Sequence, residues 1–323
     1  RPAVRTGCGK SQTARYLSVW LRQRGLRVAA IRHPMPYGDL DKQRVQKFTS
    51  LADIEAADCT YEEREEYEPH VAAGCIVYAG VDYAAILADA EQEADILIWD
   101  GGNNDFSFLA PDLHIVLADA TRPGQTFAYY PGEAVLRMAD VAIVNKVDTA
   151  GAAATDTVVD EIRSLVPDVP IVRARSPVVL DDPNAVRGKR VLVVEDGPTI
   201  THGGQPHGAG HVAAMQNGAA EIIDPRPYLS PALRAVFERY PHIGPVLPNV
   251  GYDAAQQAAL RETIARTPAD IVIIATPIDP RLLVPPDKQV VRARYDYADD
   301  GDPRLTTIVE RFLARNGNGD SNI

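Results

Sequence analysis

Cysteine is scarce in this chain of 323 residues: Cys8, Cys59 and Cys75 are an odd number with no clustered spacing. A disulfide framework is excluded as the source of stability, and a reducing compartment, by default the cytoplasm, is expected. Positive charge is also in deficit. Lysine and arginine number 33 against 44 aspartates and glutamates, a net charge of −11, which opposes non-specific binding to nucleic acid or to an anionic membrane surface. An anionic ligand therefore needs a local site. Long apolar runs are missing too: stretches such as 191–194 reach strand length and fall far short of the ~18 residues of a membrane span. The first residues run straight into a glycine loop, so no signal peptide is expected. What remains is 46% hydrophobic and 24% charged, the composition of a globular protein of roughly two domains.

Short β-branched runs alternate with stretches of helical period, the grammar of βα units feeding a mostly parallel sheet. Strands are expected at 27–31, 75–78, 95–99, 113–118, 141–144 and 171–174. A second series follows at 190–194, 221–223, 244–247, 271–275 and 289–294. A helix over 11–24 follows the glycine loop, with Leu17, Trp20 and Leu21 on one face and Gly25 as its C-cap. The last helix is expected over 305–314. The polar, turn-forming stretch Asp181-Asp182-Pro183-Asn184 falls between the two series. It suggests a nucleotide-binding α/β domain over 1–185, a smaller C-terminal α/β domain over 186–314 that receives substrate, and a disordered tail over 315–323.

Thr6-Gly7-Cys8-Gly9-Lys10-Ser11, entering a helix, has the ending of a P-loop. There the backbone amides of Gly7, Cys8, Gly9 and Gln12 hold phosphates, Lys10 reaches the β- and γ-phosphates, and the Ser11 hydroxyl binds Mg²⁺. The alternative is a glycine-rich turn capping an ordinary helix. Asp100 ends an apolar strand about 90 residues on, where a P-loop enzyme needs its second metal acid. Asn145-Lys146-Val147-Asp148 follows another apolar strand and is the guanine-recognition pattern of GTPases. The Asp148 carboxylate can accept from the base N1–H and the exocyclic amine together, with the Lys146 stem along the purine face. Arg175 and Ser176, after the next strand, belong to the loop that closes over the base. Together these motifs read as a P-loop NTPase, with spacings similar to those of dethiobiotin synthetase and the nickel-insertion GTPases.

Three further stretches suggest substrate contacts. Arg32 and His33, with Asp39, sit in the loop after the first strand and place cations beside a phosphate site. The run from Thr60 to His70 reads as a solvated acidic helix face, with a metal or substrate-ordering role for Glu63 or Glu66 as the alternative. The loop 194–211 holds five glycines, three histidines and two threonines, an entropically costly composition for mere connection. Asp196, Thr199, Thr201, His202, Gly203 and Gly204 are its candidate substrate contacts, holding phosphate through backbone amides and hydroxyls. Arg226 and His242 either join that mouth or belong to rigid turns.

The phosphate loop with its flanks Val4-Arg5 and Gln12-Thr13, the stretches 32–39 and 62–70, Trp99-Asp100-Gly101-Gly102-Asn103-Asn104-Asp105 and Glu195-Asp196-Gly197-Pro198-Thr199 resemble the cyclic 2,3-diphosphoglycerate synthetase family, over nearly the whole chain. The resemblance implies an ATP-dependent ligase that closes 2,3-diphosphoglycerate, a small anionic phosphorylated acid, into an intramolecular phosphoanhydride. Lys10, Arg32, His33 and Asp100 would be catalytic, with Mg²⁺ on Ser11 and Asp100. It also implies a further N-terminal region and a strand before the phosphate loop, so the chain reads as a piece with its first strand missing or truncated. Asn145-Lys146-Val147-Asp148 leaves ATP and GTP both open. A GTPase of metallochaperone or regulatory type, and a nucleotide-binding module without turnover, are the competing readings. A homodimer is a further expectation.

Overall fold

Runs of valine, isoleucine and alanine without charged interruptions are buried on both faces here, as parallel strands covered by helices must be. The computed structural model describes residues 3–5, 7–32, 35, 39–101, 106–250, 254–276 and 279–316. In chain order the strands are β1 (Val28–Arg32), β2 (Gln46–Phe48), β3 (Ile76–Ala79), β4 (Ile96–Asp100), β5 (Ile115–Asp119), β6 (Val141–Asn145) and β7 (Ile171–Arg175). They continue with β8 (Val178–Leu180), β9 (Arg190–Asp196), β10 (Glu221–Ile222), β11 (Leu247–Asn249), β12 (Ile271–Ala275), β13 (Gln289–Tyr295) and β14 (Ala298–Asp299). Strands β1, β5, β6, β11 and β12 are buried throughout their length. The fold is α/β with mostly parallel sheets; among the described residues antiparallel pairing is confined to β2 on β3, β8 on β13 and β14 on β7.

The chain divides into two compact units. One comprises Arg1–Thr49, Ala73–Pro177 and Asp296–Ile323, the other Ser50–Ala72 and Val178–Tyr295. Where one cut near residue 185 is expected, the chain crosses between these units four times, after residues 49, 72, 177 and 295. The last crossing has a plain cause: the helix Leu305–Asn316 carries Leu305 and Val309 on one stripe, and these, with Tyr297, are buried in the apolar core of the first unit. Residues 315 and 316 continue that helix instead of fraying, and 317–323 lie outside the described residues.

In the first unit the strand orders are β2-β3-β1-β4 and β14-β7-β6-β5. Ahead of the phosphate loop Ala3 forms a parallel bridge to Leu117. The Val4 N–H donates to the Leu117 carbonyl at 3.0 Å. Register then aligns the carboxy ends of the strands, Arg32 beside Asp100 and Asp119 beside Asn145. In the second unit β9 lies at the centre, with β12 and then β13 and β8 on one side and β10 and β11 on the other. Its carboxy edge brings Asn249 opposite Asp196 and Ala275 opposite Glu195. Ligands of open α/β sheets bind outside such edges. Among the described residues no helix is long and apolar enough to cross a membrane.

Candidate functional site

The phosphate loop is built around one residue that must be glycine. Gly9 caps the helix α1 (Lys10–Arg22) with φ +97°, and a Cβ there would land on the Asn145 amide nitrogen and crowd the Gln12 side chain. Asn145, wholly buried at the end of β6, donates from Nδ2 to the Cys8 carbonyl at 2.9 Å. This bond ties the loop to β6, the strand that leads into Lys146-Val147-Asp148. A glycine cap offers no side-chain oxygen, and α1 starts without one, so the first-turn amides face the loop mouth as a phosphate requires.

The next loops close on the same place. Lys146 adopts the left-handed region at φ +64°, a conformation costing a side chain about 1–2 kcal/mol. Its Nζ donates to Asp119 Oδ2 at 2.7 Å, and Arg122 reaches the same oxygen at 3.5 Å. Asp148 Oδ1 accepts from the Ser176 N–H at 3.2 Å. Gln12 Nε2 in turn donates to Ser176 Oγ at 3.1 Å. The structure therefore brings Gly7, Cys8, Gly9, Lys10, Ser11, Gln12, Asn145, Lys146, Asp148 and Ser176 into one neighbourhood. Arg175 diverges from it, turned toward Asp300 at 3.4 Å. A small cleft beside the loop is lined by Arg5, Cys8, Asp119, Arg122, Gln125 and Thr126. Burial, followed by the charge of Asp119, pushes the Cys8 thiol up to about 11. It stays protonated and packs as an apolar residue.

Arg32 and Asp100 face each other across neighbouring strands, 2.5 Å apart and both buried. The expected phosphate cation and the expected metal acid are thus paired. Asp39 lies in an exposed turn, accepting from the Asp41 N–H at 3.1 Å with Lys42 3.9 Å away. His33 lies outside the described residues.

In the second unit the glycine-rich loop is held by Glu195. This carboxylate, at the end of β9, accepts from the N–H groups of Gly208 at 3.0 Å, Gly210 at 3.2 Å and His211 at 2.8 Å. Burial raises its pKa to about 7 against the pull of those three bonds. Asp196 caps the helix Gly197–Ile200, accepting from the Thr199 N–H at 3.1 Å and its hydroxyl at 2.6 Å. Thr201 is buried, its hydroxyl donating to the Gly197 carbonyl at 2.8 Å, while His202 and Gly204 are exposed. Gly203 is buried, and a Cβ on it would strike the Thr199 carbonyl. Arg226 is bound to Asp224 at 2.9 Å, and the His242 ring meets the Ile200 carbonyl at 2.8 Å. Both belong to fixed turns.

The acidic run is not a solvated face. After the short helix α2 (Leu51–Ala56) it forms the helix α3 (Tyr61–Ala72), which buries Glu63, Glu65, Tyr67 and His70. Glu63 belongs to a capping box, its carboxylate accepting from the Thr60 N–H at 2.7 Å and its own N–H donating to the Thr60 hydroxyl at 3.3 Å. Glu65, which sequence reasoning passes over, reaches the carboxy edge of the second sheet. It accepts from Asn249 Nδ2 at 2.6 Å and from the Thr276 hydroxyl at 2.8 Å. Burial and the neighbouring Asp196 charge push its carboxyl well above the usual range. No periodicity marks Glu65, because Glu62, Glu63, Glu66 and Glu68 share its stretch.

No family model matches the chain. It is 52% identical over 310 residues to the arginine synthetase ArcE of Thermococcus kodakarensis, an alignment covering 96% of this chain and 69% of that protein. Among solved structures, LpxK of Aquifex aeolicus in complex with ATP superposes with a TM-score of 0.58 at 13% identity, over 96% of this chain and 86% of the other. The likeness to LpxK is one of fold.

Proposed function

The chain belongs to the family of the arginine synthetase ArcE, and from that premise we propose that it is an ATP-dependent ligase. The γ-phosphoryl group is transferred to an oxygen of a small substrate, and a second nucleophile then displaces phosphate. The observation that carries this reading is the lock between the phosphate loop and β6, Asn145 Nδ2 on the Cys8 carbonyl above a glycine that admits no side chain.

Lys10 and the amides of residues 7–12 hold the β- and γ-phosphates, and Arg32 and His33 supply further positive charge to the moving phosphoryl group. Ser11 and Asp100 are oxygen donors of the kind that suits Mg²⁺ and would hold it; when bound, the ion neutralises phosphate charge. Asp148 and Ser176 border the base. Catalysis then consists of positioning and charge neutralisation, with no covalent nucleophile. The buried, protonated Cys8 is not one.

The relative's name makes arginine the first product to seek. In that reaction a ureido oxygen attacks the γ-phosphorus and ADP departs. Ammonia then attacks the ureido carbon, the C–O bond breaks, phosphate leaves and a guanidinium group remains. A second reading rests on the motifs shared with cyclic 2,3-diphosphoglycerate synthetases. There one substrate phosphate takes the phosphoryl group, and the other displaces inorganic phosphate to close the ring.

Incubation with Mg²⁺ and ATP or GTP distinguishes them, with either the ureido analogue of arginine plus ammonium or 2,3-diphosphoglycerate. Products are read by mass spectrometry and phosphorus NMR. Arginine with ADP and phosphate supports the first reading, and a cyclic phosphoanhydride the second. Nucleotide hydrolysis without either product, or binding without turnover, sinks the ligase reading. A preference for GTP assigns Asp148 to guanine.

A further inference from the structure

The second unit gathers acidic side chains without a basic partner among the described residues at one place, the carboxy edge of its parallel sheet. Asp196 ends β9, Asn249 ends β11 directly opposite it, and Thr276 follows β12. Glu65 enters the same row from α3, bonded to both Asn249 and Thr276. Glu65 is 9% exposed and Asn249 2% exposed. Glu66, the residue after Glu65, adds repulsion to both Glu65 and Asp196. Neither Glu65 nor Asp196 forms an ion pair with any described lysine, arginine or histidine. Buried carboxylates without a cation are costly.

A second observation points to a missing donor. Asn249 spends its Nδ2 on Glu65 and Thr276, while its Oδ1 is buried without a hydrogen-bond partner. That oxygen belongs to the carboxamide whose nitrogen meets Glu65, on the residue in register with Asp196. A buried acceptor without a partner calls for a ligand or ordered water. The set is acceptor-rich: two carboxylates and an amide oxygen. Such a set matches a group with a full positive charge and several N–H donors. A divalent metal fits less well, since among the described residues no group of three or more His, Cys, Asp and Glu is arranged to hold one. A phosphate would meet repulsion from every charged member of the cluster.

We propose that Glu65, Asp196 and the Asn249 carbonyl form a subsite for an organic cation, an ammonium or guanidinium head group of the substrate. That its bearer is an amino acid rests on the ligase reading; the subsite itself does not. The glycine-rich loop pinned by Glu195 begins directly after Asp196 and would frame the rest of the ligand. In this arrangement the second unit selects the substrate by positive charge, whereas the first holds the anionic nucleotide.

Calorimetric titration of the full chain tests this without requiring turnover. The probes are arginine, its desamino analogue, whose one cationic group is the guanidinium, ornithine, whose cationic groups are both ammonium, and 2,3-diphosphoglycerate. The cations are expected to bind and the phosphorylated acid is not expected to compete with them. Comparison of arginine with the two analogues shows which nitrogen group occupies the subsite. Glu65→Gln, which preserves shape, is expected to weaken cation binding about tenfold or more, and Asn249→Ala by several-fold, with the circular dichroism spectrum unchanged. Should either variant fail to fold, the order of the four probes on the native chain still decides. Arginine binding undiminished in both folded variants would overturn the proposal. So would a native chain that binds the phosphorylated acid in preference to every cation. Cation binding that obeys these expectations without any product formation would leave the subsite standing and remove the ligase reading. Arginine formation with an unchanged KM for the amino acid in Glu65→Gln would do the reverse.

Discussion

Gly9 and Glu195 show how much a single residue can decide. Gly9 sits at φ +97° with the Asn145 amide where its Cβ would be, so both backbone conformation and space forbid a side chain. Gly9→Ala is expected to cost about 1–2 kcal/mol from the left-handed conformation alone. It should also displace the loop enough to abolish nucleotide binding, as read by titration with a fluorescent ATP analogue. Retained binding would show that the loop tolerates a shift of Asn145. Glu195 acts through its proton. Its carboxyl, raised to about 7 by burial, holds a proton in the folded state that the unfolded chain releases near its ordinary value of 4.5. The stabilising contribution is therefore complete below the unfolded value and fades as pH rises toward 7, by at most about 3 kcal/mol. Urea midpoints measured from about pH 5 to about pH 8 should fall, and Glu195→Gln should flatten that fall. An equally steep slope in the variant would assign the pH dependence to other groups.

At the level of elements, the carboxy ends of the strands hold the first unit's site together. Asn145→Ala removes the bond between β6 and the phosphate loop. It is expected to cost about 1–2 kcal/mol in urea unfolding and to weaken nucleotide binding markedly while leaving the sheet intact. The Arg32 and Asp100 pair joins β1 to β4 at 2.5 Å with both partners buried. Removing one partner leaves a buried charge, so Asp100→Leu or Arg32→Met alone is expected to lose about 3–5 kcal/mol. The double variant should lose less than the sum of the two. Additive losses would mean that each residue is held by its other contacts. In the second unit the corresponding edge carries Asp196, Asn249 and Thr276. The helix α3 completes it with a glutamate from a distant stretch of sequence.

Across the whole molecule, the order of the chain and the membership of the two units diverge. The final segment belongs with the phosphate loop: Tyr297 packs on Tyr16 of α1 with ring centroids 4.7 Å apart, and Arg24 pairs with Glu310 at 2.5 Å. Truncation after residue 295 is therefore expected to unfold the first unit although it removes nothing near the loop in sequence. Both tryptophans, Trp20 and Trp99, lie in that unit, so tryptophan fluorescence should report its loss. Hydrogen exchange in β9 and β12 should remain slow. Equal loss of protection in both units would mean that they fold as one.

The contrast between the two edges also explains what could be read without coordinates. The phosphate loop, Asn145-Lys146-Val147-Asp148 and the strands that deliver them are local signals, each a handful of consecutive residues whose spacing and apolar flanks are dictated by the chemistry they perform. The alternation of strands and helices is equally local, and the α/β architecture follows from it. Glu65 carries no such mark. Among so many acids no position stands out, and only docking of α3 against the ends of β11 and β12 brings Glu65 to Asn249 and Thr276. The return of the last helix was likewise invisible, because an amphipathic stripe states that it needs a partner and not which one. Sequence alone thus determined the α/β architecture and the local motifs from which the nucleotide site is proposed, both of which depend on neighbouring residues. Tertiary structure decided which acids are buried together, since burial and mutual repulsion arise only when distant segments share the same low-dielectric space.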